Sequence, residues 1–154
     1  KKVNIDESMS SSNLSSILSK SASGIIKEIL DKNENKQATF FPQDHSKATY
    51  AKKILKAEGK INWNESARRI LAKINGLNPN PGAWFEYKNE RYKVWRGNIV
   101  NIREKAGKII DDKFTISCGE QSIRIVEIQK EGKSKQLASQ FLLGNKFIKG
   151  EDLI

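Results

Sequence analysis

The first long apolar pattern of the chain has the period of a helix. Apolar residues recur at helical spacing between Leu14 and Leu30 and form one stripe over about four turns. Ser12 or Asn13 can cap the start of this helix. Such a one-sided helix must pack against another surface, and the first 45 residues supply none. We therefore expect residues 1–32 to be the edge of a larger domain.

The following segment, residues 33–60, has the composition of a linker. Phe40-Phe41-Pro42 is an apolar anchor that cannot continue a helix. From Gln43 onward five lysines face only Asp44 and Glu58. We predict a basic linker with a helical turn at Tyr50–Lys56.

A second helix is predicted after the linker. Trp63, Ala67, Ile70, Leu71 and Ile74 again follow the helical period. Asn62 or Asn64 would start this helix, Asn62 with Glu65 resembles a capping box, and Gly76 marks the end.

From Ala83 the period drops to two, which indicates strands. Phe85, Tyr87, Tyr92 and Val94 alternate with polar residues around a hairpin turn at 88–91. The other strand candidates are Val3–Ile5, Ile99–Ile102, Lys108–Ile110, Phe114–Cys118 and Ile123–Gln129, and a last helical pattern covers Leu137–Leu143. Short strands at this spacing predict a small closed antiparallel barrel.

The net charge of the chain indicates its class of partner more clearly than its length does. The chain has 154 residues, enough for one domain or two small ones, and a net charge of +10. Such an excess favours an acidic partner, most often nucleic acid. A lysine-rich composition set by an AT-rich genome is the alternative, so the distribution of the charge has to decide.

Residues suited to covalent chemistry are few. His45 lies in a polar stretch typical of a solvated linker, and Asp111-Asp112 lies between strand candidates, where turns favour Asp. Cys118 falls on the inward side of its strand, as a small core residue would. Gly-rich phosphate loops are absent from the sequence, and one His and one Cys argue against a zinc site of such ligands.

The strongest constellation is the segment from Trp84 to Lys108. It interleaves five aromatic residues with seven cations against three glutamates, a net +4. Cations neutralise phosphates and aromatic rings stack on bases, which are the two components of single-strand recognition. We assign Tyr92 and Val94 to the core. Arg91, Lys93 and Trp95 share the opposite face and are either binding residues or simply solvated.

Several motifs resemble those of one enzyme family. They are Ala48–Ile54, Glu58–Trp63, Asn78-Pro79-Asn80-Pro81-Gly82-Ala83-Trp84, Tyr92–Trp95, Gln129–Lys133 and Ala138–Gly144. Together they closely resemble the linker and C-terminal domain of the methionyl-tRNA formyltransferases. The Asn-Pro-x-Pro-Gly-Ala-Trp core is shared with other formyltransferases that carry this domain.

The resemblance implies a fold and a division of the chain. The fold class is α+β and mainly β, with a small OB-like antiparallel barrel, flanking helices and a preceding strand-helix remnant of a Rossmann-like domain. Residues 1–32 would be the tail of the catalytic domain, 33–60 the basic linker and 61–154 the OB-like tRNA-binding domain.

The resemblance also implies a function. The family transfers formyl from 10-formyltetrahydrofolate to the amino group of methionyl-tRNA, for translation initiation in the cytoplasm. The family's catalytic Asn-x-His pair, Asp and Ser-Leu-Leu-Pro loop have no match here. We therefore expect no catalytic residue, metal or cofactor in this segment, which would be inactive alone.

The expected partners are initiator methionyl-tRNA and the N-terminal catalytic domain, with no membrane, and the expected state is a monomer. Trp95 is the candidate for stacking on a base or ribose. The candidate phosphate contacts are Lys52, Lys53, Lys56, Lys60, Arg91, Lys93, Arg96, Lys133 and Lys135.

Two other functions stay open. One is the C-terminal domain of another folate-dependent formyltransferase, acting on an amino sugar or releasing formate, although a small acceptor needs no long cationic track. The other is a free-standing barrel that binds single-stranded RNA, which leaves the 14–30 stripe without a partner.

Overall fold

Three α-helices and five β-strands form the regular structure of residues 2–153, the part of the chain that the computed structural model describes. The helices are α1 (Ser11–Glu34), α2 (Ala67–Gly76) and α3 (Ala138–Gly144). The strands are β1 (Ala83–Tyr87), β2 (Glu90–Val100), β3 (Thr115–Ser117), β4 (Ser122–Lys130) and β5 (Gln136–Leu137). Two short 3-10 turns, His45–Lys47 and Lys56–Gly59, lie between α1 and α2.

The strands form one antiparallel sheet in the order β1-β2-β4-β3, with β5 paired to β4. The predicted hairpin is confirmed, since Tyr87 pairs with Glu90 across a turn in which Lys88 and Asn89 both have positive φ. Those backbone angles match the twist of a two-residue hairpin. The β2–β4 register shifts twice, between Val94 and Gly97. These bulges lie beside Trp95 and Arg96, where they redirect side chains.

The core begins at Ile61. Side chains from α2, the sheet and α3 close around Phe85, Phe114 and Phe141, each at most 1% exposed. The rings of Phe114 and Tyr87 each lie 4.5 Å from that of Phe147 in the C-terminal segment. Burying several aromatic side chains in contact supplies most of the driving force for a domain of this size.

Helix α1 contrasts with that core, because none of its residues is buried. Its apolar stripe forms as predicted but faces solvent, with Ile26 and Leu30 each 56% exposed. The segment before it touches α2, where the Asn75 amide donates to the carbonyl of Glu7 at 2.7 Å. The Ser11 hydroxyl also donates to the carbonyl of Asn78. The helix is thus attached to the sheet domain only at its start.

The predicted starts of α1 and α2 are wrong by a few residues. The cap of α1 is Ser10, whose hydroxyl accepts from the backbone N–H of Asn13 at 3.2 Å. The cap of α2 is Ser66, not Asn62 or Asn64. The residues before Ser66 are held elsewhere, because the N–H of Gly119 donates to the carbonyls of Trp63 and Glu65 at 2.9 Å. That pairing keeps Trp63 in the core but outside the helix.

Three predicted strands also need correction. Val3–Ile5 forms no strand and pairs with none of the five strands, and Ile5 lines a cavity with Leu71 and Ala72 of α2. Lys108–Ile110 makes only isolated bridges, and Ile99–Ile102 contributes its first two residues to the end of β2. The helical turn predicted at Tyr50–Lys56 forms later, at Lys56–Gly59.

The observed fold is a mixed α/β arrangement with an antiparallel sheet. Because α1 alone spans 24 residues, mainly β is too strong a description of the whole chain. Closure into an OB-like barrel stays a prediction, since β1 and β3 are the two ends of the paired order within residues 2–153. None of the described helices has the length and apolar character needed to cross a bilayer.

Candidate nucleic-acid interface

The end of the linker is fastened to the edge strand β1 through Trp84. The indole Nε1 donates to the carbonyl of Lys56 at 2.9 Å, and the N–H of Ile61 donates to the carbonyl of Trp84 at 2.7 Å. Gly59 makes this approach possible, because a Cβ there would lie 2.3 Å from the carbonyl oxygen of Gly82. The last linker lysines therefore have a fixed position beside the sheet.

A carboxylate joins this linker end to β2. Glu86 lies 2.9 Å from the ammonium of Lys60 and 3.8 Å from the guanidinium of Arg91. The hydrogen bond from Lys60 lowers the pKa of Glu86. The guanidinium of Arg91 also stacks 4.0 Å from the Trp84 ring. Among the described residues, the buried Nε of Arg91 has no hydrogen-bond partner.

Side chains alternate along β2 between the core and the outer face of the sheet, as predicted. Tyr92 and Val94 are buried in the core, while Arg91, Lys93 and Trp95 lie on the other face and are partly exposed. The assignment of Tyr92 and Val94 to the core is confirmed. Burial raises the pKa of Tyr92, with a further contribution from its hydrogen bond to Glu90.

Lys93 lies close against the turn before β1. Its stem crosses Gly82, where a Cβ would meet the Lys93 Cε at 2.0 Å, and its ammonium donates to the carbonyl of Pro79 at 2.6 Å. Partial burial lowers the pKa of Lys93. The same ammonium lies 4.3 Å from the centre of the Trp95 ring.

Trp95 is held by its neighbours on three sides. The ammoniums of Lys93 and Lys135 lie 4.3 and 5.3 Å from the ring centre, and the indole N–H donates to the Gln129 amide oxygen at 2.9 Å. The amide nitrogen of Gln129 in turn donates to the carbonyl of Lys133 at 2.7 Å. This network ties the 131–135 loop to β2, so the basic loop lies beside the exposed cations of that strand.

A second carboxylate joins two more candidate cations. Glu127 lies opposite Arg96 in the β2–β4 register, and its oxygens lie 3.3 Å from the Arg96 guanidinium and 2.9 Å from the Lys135 ammonium. The Glu127 side chain is only 22% exposed.

The nine candidate phosphate contacts therefore fall into two groups. Four are paired with Glu86 or Glu127, namely Lys60, Arg91, Arg96 and Lys135. Within residues 2–153 the other five form no ion pair, namely Lys52, Lys53, Lys56, Lys93 and Lys133. An unpaired ammonium can bind a phosphate without first losing a carboxylate partner.

Contacts with Trp84, Trp95, Glu127 or Gln129 connect seven of the nine cations to the sheet. Five are connected through their side chains, and Lys56 and Lys133 through their backbone carbonyls. Lys52 and Lys53 lie in a part of the linker without regular secondary structure, exposed and outside this network. Sequence reasoning missed the bridging roles of Glu86 and Glu127 and the hydrogen bond of Trp84. Glu86 is one of the three glutamates interleaved with the cations of residues 84–108, whereas Glu127 lies outside that segment. Their partners come from other elements and depend on how the chain folds.

The three candidates for covalent or acid–base chemistry, Asp111, Cys118 and His45, lie apart from the cation network. Asp111 accepts hydrogen bonds from the N–H groups of Lys113 and Thr115 and from the Thr115 hydroxyl, and it pairs with Arg124 at 3.2 Å. Desolvation opposes the charge on Asp111, but these hydrogen bonds and Arg124 outweigh it and lower its pKa.

Burial raises the pKa of Cys118 to about 12, so its thiol is protonated at neutral pH. His45 is exposed in the linker.

Comparison with known proteins identifies one family by sequence. Residues 53–146 match the family described as Formyl transferase, C-terminal domain. A methionyl-tRNA formyltransferase from Pelagibacter ubique is 43% identical over 150 residues, which is 97% of this chain and 48% of that protein. Another from Bradyrhizobium diazoefficiens is 44% identical over 106 residues, 66% of this chain and 34% of that protein. The chain spans about half the length of the relatives that it matches over nearly all of its own length.

Solved structures show the same fold at low identity. A variant of HypX from Aquifex aeolicus has a TM-score of 0.72 and 14% identity, over 91% of this chain and 27% of that one. HypX in complex with tetrahydrofolic acid has a TM-score of 0.60 and 15% identity, over 77% of this chain and 22% of that one. At these identities the likeness concerns the fold alone.

Proposed function

The chain belongs to the family of formyl transferase C-terminal domains, and from that premise we propose that it is the tRNA-binding part of a methionyl-tRNA formyltransferase. The parent enzyme would transfer the formyl group of 10-formyltetrahydrofolate to the amino group of initiator methionyl-tRNA in the cytoplasm. This segment would contribute by holding the tRNA in position, because reaction requires the amine and the formyl donor to be oriented together.

The observation that carries this proposal is the arrangement of the unpaired lysines. Lys56 is fixed at the linker junction by Trp84, and Lys93 and Lys133 lie on the sheet side joined through Gln129 and Trp95. Lys52 and Lys53 precede Lys56 in the linker and are exposed. A polyanion that follows the linker onto the sheet would meet each of them.

The same proposal accounts for the exposed stripe of α1. We assign residues 1–32 to the tail of the catalytic domain, 33–60 to the linker and 61–154 to an OB-like tRNA-binding domain. Six apolar side chains of α1 are more than a third exposed: Ile17, Leu18, Ile25, Ile26, Ile29 and Leu30. Further catalytic-domain residues would cover this stripe, whereas a free-standing RNA-binding barrel would leave it in water.

The alternative of a formyltransferase with a small acceptor is less consistent with the linker. An amino sugar or a released formate has no extended chain of phosphates for Lys52, Lys53 and Lys56 to neutralise. Three unpaired cations along one linker match a long polyanion better, because each can neutralise a separate phosphate.

The test is the salt dependence of tRNA binding by the K53A/K56A double variant. Losing two phosphate contacts should make the slope of log affinity against log salt shallower by about 1.4–1.8. The matched control is K20A/K27A, which removes the same charge from α1, where neither lysine is near the sheet. Fluorescence anisotropy with labelled initiator tRNA, at several salt concentrations, measures both slopes.

The proposal requires the control slope to stay close to that of the wild type. Equal slopes for the two double variants would show that total charge, rather than the linker, governs binding. No tRNA binding by the wild-type chain at low salt would overturn the proposal itself.

A further inference from the structure

We propose that Glu127 restrains the polyanion-binding surface by holding Arg96 and Lys135 away from phosphate. This inference rests on the proposed function, since it concerns how strongly the same surface holds tRNA. Glu127 would be a positioning residue that sets affinity without touching the ligand.

Glu127 binds two cations at once, Arg96 and Lys135, and we call this arrangement of three side chains the Glu127 clamp. One carboxylate oxygen faces the Arg96 guanidinium at 3.3 Å from the neighbouring strand, and the other accepts a hydrogen bond from Lys135 at 2.9 Å. The Glu127 backbone pairs with Arg96 on one side and Leu137 on the other, so its position is fixed by two strands. The Arg96 and Lys135 side chains are about half exposed, so each head group is also within reach of an outside ligand.

The physical basis is competition between two anions for the same cations. A phosphate that binds Arg96 or Lys135 must displace a carboxylate already in contact, so the pair contributes less to binding than two free cations would. Neutral glutamine in place of Glu127 removes that competitor and keeps the shape of the side chain. Glu86, which lies 2.9 Å from Lys60 and 3.8 Å from Arg91, should restrain its two cations less than Glu127 does, because its side chain is 46% exposed against 22% for Glu127.

Lys135 gives the clamp a second consequence. Its ammonium lies 5.3 Å from the centre of the Trp95 ring while it is bound to Glu127. With Glu127 neutral, Lys135 is free to leave the ring for a phosphate, which uncovers Trp95 for contact with a base. The clamp therefore connects a cation and an aromatic candidate that the sequence presents as separate.

The experiment compares Glu127→Gln with Glu131→Gln. Glu131 lies in the adjacent loop, is exposed and forms no ion pair within the described part of the chain, so the two variants change the net charge equally. We expect Glu127→Gln to bind initiator tRNA about three- to tenfold more tightly than Glu131→Gln. Its salt slope should be steeper than that of Glu131→Gln by about 0.7–1.8, for one or two phosphates gained.

A second comparison, in a chain that lacks both cations, tests whether the effect of Glu127→Gln comes from releasing Arg96 and Lys135. In an R96A/K135A chain there is nothing for Glu127 to hold, so Glu127→Gln should have no advantage over Glu131→Gln. Thermal unfolding of each variant checks that affinity changes do not come from altered folding.

Heparin chromatography separates failure of this inference from failure of the proposed function. If the chain ignores tRNA but Glu127→Gln elutes from heparin at higher salt than Glu131→Gln, the clamp stands and the tRNA proposal falls. If tRNA binds and the two glutamine variants behave alike, the clamp is overturned. A Glu127→Gln chain that binds tRNA more weakly would also overturn it, because the carboxylate would then be organising the contacts rather than withholding them.

Discussion

Residues 2–60 and 61–153 use apolar residues in opposite ways. The first region contains the longest helix, 24 residues with a continuous apolar stripe, yet none of that helix is buried. The second has shorter elements, and it contains every buried apolar side chain among the described residues. The difference teaches that periodicity specifies an element, whereas burial requires a second surface with a matching shape. Most helical stability in proteins comes from such packing rather than from propensity.

The two regions also differ in how many of their candidate cations are paired with a carboxylate. Lys52, Lys53 and Lys56 of the linker form no ion pair within residues 2–153, whereas four candidate cations at or beside the sheet share Glu86 and Glu127. Pairing of strands brings acidic and basic side chains opposite one another, as in Arg96 and Glu127. An extended chain has no such partner, so its cations stay available to a ligand.

The largest expected effect is the difference between Phe85→Ala and Ile26→Ala in the free energy of unfolding. Phe85 is 1% exposed in the aromatic core, so its truncation should lower the free energy of unfolding by about 3–5 kcal/mol. Ile26 is 56% exposed, so its truncation should change that free energy by less than about 0.5 kcal/mol. Urea unfolding followed by tryptophan fluorescence measures both. A large loss for Ile26→Ala would contradict the division into a packed and an unpacked region.

A smaller effect is expected from Asp111→Asn, which acts inside the packed region. Loss of the charged hydrogen bonds should lower the free energy of unfolding by about 1–3 kcal/mol at pH 7. Because the folded state lowers the pKa of Asp111, this stabilisation is complete above the ordinary carboxyl pKa and is lost as the pH falls through the lowered value. Unfolding measured from pH 7 down to pH 3 should show the two proteins converging on the acid side.

Asp112→Asn is the control for this pH dependence. Asp112 is the exposed neighbour, and it forms no ion pair among the described residues. It should leave the stability and its acid dependence unchanged. A constant difference between Asp111→Asn and the wild type at every pH would show that the carboxylate charge is not what stabilises the loop.

The smallest effect concerns the junction between the two regions. In Gly59→Ala the new Cβ would meet the Gly82 carbonyl, which should loosen the linker end at a cost of about 1 kcal/mol and expose Lys56 to faster trypsin cleavage. Gly24→Ala in α1 is the matched change, because a Cβ there meets nothing within 4 Å. That variant should raise helix content by circular dichroism without slowing global unfolding. Equal cleavage rates for the two variants would show that Gly59 does not fasten the linker.

Much of the fold followed from local pattern. The helical stripe of residues 14–30, the second helix, the hairpin at 88–91 and the buried positions of Phe85, Tyr92 and Val94 are each fixed by spacing over a few residues. Helix starts were less predictable, since Asn62 and Ser66 are both good caps and only the pairing of Gly119 with Trp63 and Glu65 selects Ser66. The motifs around the Asn-Pro-x-Pro-Gly-Ala-Trp core identified the family, and the match over residues 53–146 confirms it.

The sequence by itself determined the three helical patterns, the central hairpin, the excess of positive charge and the family, because these depend on residue types and short spacings. The tertiary structure decided which cations are free, because an ion pair depends on the register of two strands and on where a loop returns. Glu127 is far from Arg96 along the chain and lies opposite it only in the sheet. The tertiary structure also decided that the α1 stripe has no partner among residues 2–153, since exposure is a property of neighbours rather than of the stripe.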